Sequence, residues 1–197
     1  MRLAIVKYNA GNIQSVTYAL NRLGIEPVVS DDPEILKSAD KVIFPGVGEA
    51  STAMAYLRER KLDAVIKGLK QPVLGICLGQ QLMCRHSEEN DTTCLGIFDI
   101  AVKRFVDTEK KGLKIPQIGW NSVYGLKSKL YEGISENAFV YFVHSYYAET
   151  GPFSISLTGY TQEFSSGLHR DNFYAVQYHP EKSGAIGSQL LENFLKL

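Results

Sequence analysis

Cys77 is the side chain in this sequence best placed for covalent chemistry. It lies within Gly75-Ile76-Cys77-Leu78-Gly79, where the preceding run from Pro72 to Ile76 reads as a buried strand and the following residues as a helix. Glycines two positions either side of a central nucleophile are what a sharp strand-to-helix turn requires. The central residue is held in a strained conformation, and larger neighbours would collide. Such a turn sets the thiol at a helix N-terminus, whose positive end favours the thiolate, and leaves the Leu78 amide free to donate to an oxyanion. The same residues also suit a structural cysteine between two packing glycines. Cys84 falls two turns along the same helix and is expected to point into the core. Cys94 follows the polar stretch Asn90-Asp91-Thr92-Thr93, and neither is expected to react.

A thiol nucleophile needs a base, usually a histidine oriented by a third group. Four histidines are available. His86, next to Arg85 in a charged helix end, and His169, between Leu168 and Arg170 near a turn, read as surface residues. His144 ends the apolar run Tyr141-Phe142-Val143 and suits a core or pocket position. His179 differs, because in Tyr178-His179-Pro180-Glu181 the proline ends a strand. That leaves His179 and Glu181 on a stiff turn where the carboxylate can reach the imidazole. A strand-end histidine with a surface glutamate is the alternative for that segment alone.

Pro45-Gly46-Val47-Gly48 closes another apolar run, Val42-Ile43-Phe44. Glycines at a strand end let main-chain amides approach a ligand. Neither GxGxxG nor GxxxxGK[ST] follows any strand, so a phosphate loop is not indicated.

The elements that must hold these residues alternate in the first half of the chain. Leu3 to Tyr8, Pro27 to Val29, Val42 to Phe44 and Pro72 to Ile76 read as strands. Ile13, Val16, Leu20 and Leu23 recur at helical spacing before Gly24, Asp31-Asp32-Pro33 opens a second helix, and Ala50 to Glu59 and Leu62 to Leu69 follow. Short, wholly apolar strands between helices imply a parallel sheet covered on both faces. From about Gly96 the texture changes to strands joined by turns, at Phe98 to Val106, Phe139 to Tyr147, Ser154 to Tyr160 and Phe173 to Tyr178. The chain then returns to a helix with Ile186, Leu190, Phe194 and Leu197 on one stripe. Ligands of open α/β sheets bind beyond the carboxyl ends of the strands, and Cys77 and Gly46-Val47 both fall there.

The bulk properties narrow the function classes. The 197 residues fit one domain, 1–197, and 21 basic residues balance 21 acidic ones, so no net charge draws the chain to nucleic acid or to a membrane surface. No apolar run approaches the roughly 18 residues that span a bilayer, and Met1 to Lys7 reads as a first strand, not a signal peptide. Three cysteines without metal-type spacing indicate neither a disulfide framework nor a metal site, and a reducing cytoplasm is the expected setting.

Taken together, the elbow cysteine, the late His-Pro-Glu and the early Pro-Gly-Val-Gly resemble the class I glutamine amidotransferases over essentially the whole chain. That resemblance implies a three-layer, flavodoxin-like α/β fold with a mostly parallel central sheet and an antiparallel addition. It implies a Cys77-His179-Glu181 triad that releases ammonia from glutamine without metal or cofactor. Leu78, Gly46 and Val47 would form the oxyanion hole, and Gln81, Ser145 and Tyr146 would hold the substrate. Within the family, Tyr8-Asn9-Ala10-Gly11-Asn12, Pro116-Gln117-Ile118-Gly119-Trp120-Asn121 and Tyr141-Phe142-Val143-His144-Ser145-Tyr146, with Ser87-Glu88-Glu89, are similar to one branch. Its members pass ammonia to a (β/α)8-barrel cyclase, as a heterodimer, in histidine biosynthesis. By that resemblance Asn12, Trp120, Asn121, Tyr141 and Lys182 would lie toward the partner or the ammonia passage. Lys7, Gln80 and Gln117-Ile118 depart from that branch, where an acidic residue, methionine and His-Met are usual. Related subunits serve other ammonia acceptors, surface-sugar synthesis among them, and a regulatory subunit with an idle site is the non-enzymatic alternative.

Overall fold

In the computed structural model, which describes residues 1–9, 11–107 and 112–197, strand and helix alternate through the first half. The order is β1 (Leu3–Val6), α1 (Ile13–Arg22), β2 (Val28–Ser30), α2 (Pro33–Ser38), β3 (Lys41–Phe44), α3 (Ala50–Glu59), α4 (Leu62–Gly68), β4 (Val73–Ile76) and α5 (Leu78–Met83). The local signals act as their chemistry predicts. Asp32 caps α2 by accepting the Glu34 amide at 2.8 Å, with Pro33 in the first turn, a combination that satisfies orphan amides and needs no proline N–H. The second half is mostly strand: β5 (His86–Ser87), β6 (Thr92–Thr93), β7 (Ala101–Arg104), β8 (Gln117–Val123), β9 (Ala138–His144), β10 (Tyr146–Ala148), β11 (Ser154–Gly159), β12 (Glu163–Arg170) and β13 (Phe173–Val176), closed by α6 (Gly184–Lys196).

Among the described residues these strands make an eleven-stranded sheet in the order β2-β1-β3-β4-β13-β12-β10-β7-β5-β6, with β11 also on β12. The first five are parallel, and β12 turns the sheet antiparallel against β13 and β10. Alternation along a strand sends successive side chains to opposite faces. Ala4, Val6, Val42 and Phe44 therefore pack under α2 to α5. Leu3, Ile5, Ile43 and Leu74 pack against α1, α6 and the separate two-stranded sheet of β8 and β9. Three layers result. Lys41, on a covered strand, is reconciled by a 3.1 Å bond from Nζ to the Leu197 carbonyl and by the Phe194 ring 5.7 Å below it. No helix among the described residues is long and apolar enough to cross a membrane.

Several expectations need correction. His86 begins a strand, not a helix end, and meets Asp91 at 2.8 Å. His169, by contrast, keeps its expected place beside a turn: it is the penultimate residue of β12, meets the Asp171 carbonyl at 2.9 Å and stacks on Tyr174 with ring centroids 4.1 Å apart. The run Phe139 to Tyr147 is two strands that break at Ser145. α5 ends at Met83, so Cys84 follows the helix instead of riding on it, though it is buried as expected.

Candidate active site

Because β1, β3, β4 and β13 run parallel, the residues following them all emerge at one edge of the sheet. These are Tyr8, Pro45-Gly46-Val47-Gly48, Cys77 and His179. Cys77 occupies the turn between β4 and α5 with φ 53° and ψ −107°, a region costly for a side chain other than glycine. The turn is enforced from both sides: a Cβ at Gly79 would lie 1.9 Å from the Phe44 carbonyl oxygen, and one at Gly75 would lie 3.0 Å from both the Gly79 carbonyl carbon and the Met83 sulfur.

His179 is held by its amide, which donates to the Tyr141 carbonyl at 2.9 Å. Its Nδ1 lies 2.7 Å from Glu181 Oε1, and both side chains are buried. A carboxylate on Nδ1 keeps the neutral-state proton on that nitrogen and leaves Nε2 as the base. Burial by itself would lower the His179 pKa, but the Cys77 sulfur, in hydrogen-bonding reach, and Glu181 outweigh it and raise the group to about 10. Asn12 joins the pair: its Nδ2 donates to Glu181 Oε1 and lies 3.3 Å from His179 Nδ1. Asn12 has φ 72° at the N-terminus of α1, a conformation that asparagine tolerates better than most residues. Its neighbour Ala10, part of the same sequence signature, lies outside the described residues.

The Leu78 amide, expected to face an oxyanion, donates instead to the Gly46 carbonyl at 3.2 Å. The Pro45 carbonyl just before it accepts from the buried Tyr8 hydroxyl at 2.6 Å. A Cβ at Gly46 would fall 2.0 Å from that hydroxyl, so the close approach requires glycine.

A cleft of about 270 Å³ opens over these groups and is lined by Val47, Cys77, Gln81, Glu89, His144, Ser145, Tyr146, His179 and Lys182, among others. Three expected substrate residues, Gln81, Ser145 and Tyr146, are therefore brought together beside the thiol. Gln81 is buried and its Nε2 donates to the Tyr146 carbonyl at 2.9 Å. His144 is not a second base: Nδ1 meets the Tyr146 carbonyl at 2.7 Å, Nε2 meets the side-chain carboxamide of Gln117 at 2.9 Å, and burial holds the group down at about 4.

The residues expected to face a partner separate into two sets. Trp120 is 55% exposed and stands edge-on to Tyr141, with Ile118 and Phe139 exposed on the same face of the β8–β9 sheet. Lys182 reaches the cleft. Asn121 turns to the opposite face, where Nδ2 donates to the Gly159 carbonyl at 2.9 Å. Two site residues escaped the sequence reading. Glu89, within Ser87-Glu88-Glu89, puts a half-buried carboxylate in the cleft and accepts the Ala50 amide at 2.7 Å; burial raises its pKa. Gln177, two residues before His179, has its Nε2 3.6 Å from Cys77 Sγ.

A family model described as glutamine amidotransferase class-I matches residues 5–197. The chain is 59% identical over 197 residues to the imidazole glycerol phosphate synthase subunit HisH of Bacteroides thetaiotaomicron, and 46% identical over 199 residues to that of Escherichia coli, each match covering all of both chains. A solved glutamine amidotransferase shares the fold at a TM-score of 0.73 and 19% identity, over 98% of this chain and 97% of that one.

Proposed function

The chain belongs to the class I glutamine amidotransferases, and from that premise we propose that it is the glutaminase subunit of an imidazole glycerol phosphate synthase, with Cys77, His179 and Glu181 as its triad. The observation that carries the chemistry is a buried Glu181 carboxylate on His179 Nδ1, with Cys77 and His179 lining one cleft and the sulfur in hydrogen-bonding reach of the imidazole.

His179 Nε2 takes the Cys77 proton as sulfur attacks the carboxamide carbon of glutamine. Glu181 stabilises the imidazolium, and Asn12 holds Glu181 in place. The tetrahedral oxyanion forms beside Leu78, whose amide must first leave the Gly46 carbonyl. Turning the Gly46-Val47 peptide frees that donor and presents the Val47 amide as a second. One such donor is worth about 10²- to 10³-fold in rate, so the turn acts as a switch on catalysis. The imidazolium then protonates the departing ammonia, and water, activated by the same nitrogen, opens the thioester to glutamate. Gln81, Ser145 and Tyr146 border the amino-acid end of the substrate, and Glu89 offers a carboxylate for its α-ammonium group.

The similar proteins are named as synthase subunits, and the exposed Ile118, Trp120 and Phe139 supply an apolar face for a companion chain. Exposed aromatic residues on a polar molecule are the kind that anchor interfaces. The face continues through Tyr141 and Val143 to the cleft, so a (β/α)8-barrel cyclase seated there would receive ammonia where it is made and use it to close an imidazole ring.

The test is glutamate release from glutamine by the chain alone and with a cyclase barrel carrying its nucleotide ligand. Strong stimulation by the liganded barrel is expected, and Cys77→Ala should abolish release while still binding the barrel. Turnover surviving in Cys77→Ala would end the triad assignment. Triad-dependent activity indifferent to the barrel would point to another ammonia acceptor.

A further inference from the structure

Gln177 is fully buried between the nucleophile and the substrate pocket. It lies just beyond β13, and its backbone amide donates to the Ser166 carbonyl at 2.9 Å, which fixes where its side chain starts. That side chain meets two groups. Its Oε1 accepts from Gln81 Nε2 at 3.0 Å, and its Nε2 lies 3.6 Å from Cys77 Sγ.

The orientation of both amides follows from one fixed atom. The Tyr146 main-chain carbonyl can only accept, so the group 2.9 Å from it must be the NH2 of Gln81. That NH2 has a second hydrogen, and the atom it meets on Gln177 must therefore be an oxygen. The NH2 of Gln177 is left facing the sulfur. A carbonyl, a glutamine, a second glutamine and a thiol thus form a directed chain, and its last link is a donor aimed at the reacting atom.

Beside His179, whose imidazole is in hydrogen-bonding reach of the sulfur, two groups near the sulfur favour opposite protonation states. The Val143 carbonyl, 3.9 Å away, can only accept, so it favours the thiol S–H. The Gln177 NH2 can only donate, so it favours the thiolate. Donors to an ionised acceptor are roughly twice as strong as neutral pairs, and in a buried site little water competes.

We propose that Gln177 is a further catalytic residue, donating to the Cys77 thiolate and held in that role by Gln81. This rests on Cys77 being the nucleophile. Because Gln81 also lines the cleft, a substrate that settles against it braces the same donor, which couples occupancy of the pocket to readiness of the sulfur. A purely structural Gln177 would tie the end of β13 to α5 and leave the chemistry of the sulfur untouched.

The experiment reads the sulfur without glutamine. Iodoacetamide alkylation of Cys77 is followed by peptide mass in the full chain from pH 5.5 to pH 9, in wild type, Gln177→Met and Gln177→Glu. Methionine keeps the length and removes the donor; glutamate keeps an acceptor for Gln81 and sets a carboxylate against the sulfur. Alkylation at pH 6.5 should slow about tenfold in Gln177→Met, corresponding to an upward move of roughly one pH unit in its profile, and further in Gln177→Glu, with rates converging at high pH. Glutamate release should lose kcat with KM little changed. Profiles of both folded variants lying on that of wild type would overturn the proposal and leave Gln177 a packing residue. Glutamate release persisting in Cys77→Ala would instead remove the nucleophile reading beneath it, whatever the Gln177 profiles show.

Discussion

Gly48 lines the cleft and Gly79 lies two residues after Cys77 in α5; a methyl group at Gly79 would sit 1.9 Å from the Phe44 carbonyl oxygen, whereas one at Gly48 would meet nothing within 4 Å. The contrast runs through the whole site. On the elbow side, Cys77 is buried, its amide bonds to the Val176 carbonyl at 2.8 Å, and the backbone of α5 lies directly against β3. On the loop side, Val47 is 37% exposed and Gly48 has φ 121°. The Gly46 carbonyl accepts from a main-chain amide, that of Leu78, at 3.2 Å. The proposed nucleophile is built into the close-packed body of the sheet, whereas the Gly46-Val47 peptide that would have to turn to free the Leu78 amide lies on an open segment. Under the proposed mechanism, such a division would let the reactive atom keep its geometry while a partner controlled the rate through a peptide that costs little to move.

Substituting Gly79 attacks the fixed side and should have the largest effect. An alanine there cannot be accommodated by a side-chain rotation, because the obstacle is main chain on β3. Gly79→Ala should lose about 3 kcal/mol of stability or more, a fall of roughly 10 °C in midpoint temperature for a chain of this size, together with its glutaminase activity. A scanning calorimetry trace matching wild type would show that the elbow can shift and that the two sides differ less than their packing implies.

How far the sequence discloses this contrast depends on which interactions create it. The elbow is legible in Gly75 to Gly79 because its requirement is steric and local, and the same holds for the Asp32-Pro33 helix start. The parallel strands are legible because burial on both faces demands apolar residues throughout. β12 is not legible as a strand. Its centre, Ser165-Ser166-Gly167, is buried yet carries no apolar signal, since the serines are satisfied by partners outside the strand: Ser165 Oγ by the Glu149 carbonyl at 2.8 Å, and Ser166 Oγ by Ser156 Oγ at 3.0 Å. Asn12 shows the same limit at the site. Its sequence neighbourhood marks a family signature, but the hydrogen bond to Glu181 spans 169 positions and exists only once α1 and the end of β13 share an edge. Gln177 is missed for a similar reason, its partners Gln81 and Cys77 lying about a hundred residues earlier.

His144 extends the fixed side to the far wall of the cleft, where rings of Phe105, Phe142 and Phe164 surround it. Its folded-state pKa is about 4, against an ordinary value of 6.5, chiefly because burial disfavours the imidazolium. Between those values the unfolded chain binds the extra proton and the folded one does not. Its contribution to stability is therefore complete above pH 6.5 and is lost as pH falls toward 4. Comparing wild type with His144→Gln at pH 7.5 and pH 4.5, wild type should lose about 2 kcal/mol more, or roughly 5 °C, on acidification. Equal losses in the two proteins would mean that this wall opens to water and is less rigid than the elbow.

Tyr8→Phe probes the movable side and should have the smallest effect on stability. The Tyr8 hydroxyl anchors the Pro45 carbonyl at the base of the loop, one residue before the carbonyl that occupies Leu78. Removing it leaves a buried acceptor without that donor, at a cost of about 1 kcal/mol. If the anchor holds the Gly46-Val47 peptide in its resting orientation, losing it releases the Leu78 amide more often. Glutamate release without a partner should then rise, and the ratio of stimulated to unstimulated rates should fall by up to about fivefold, the factor that 1 kcal/mol represents in an equilibrium. An unchanged ratio with the stability loss intact would place the resting state in the Leu78–Gly46 hydrogen bond alone. The boundary between fixed and movable backbone would then lie between Pro45 and Gly46, with Tyr8 on the fixed side.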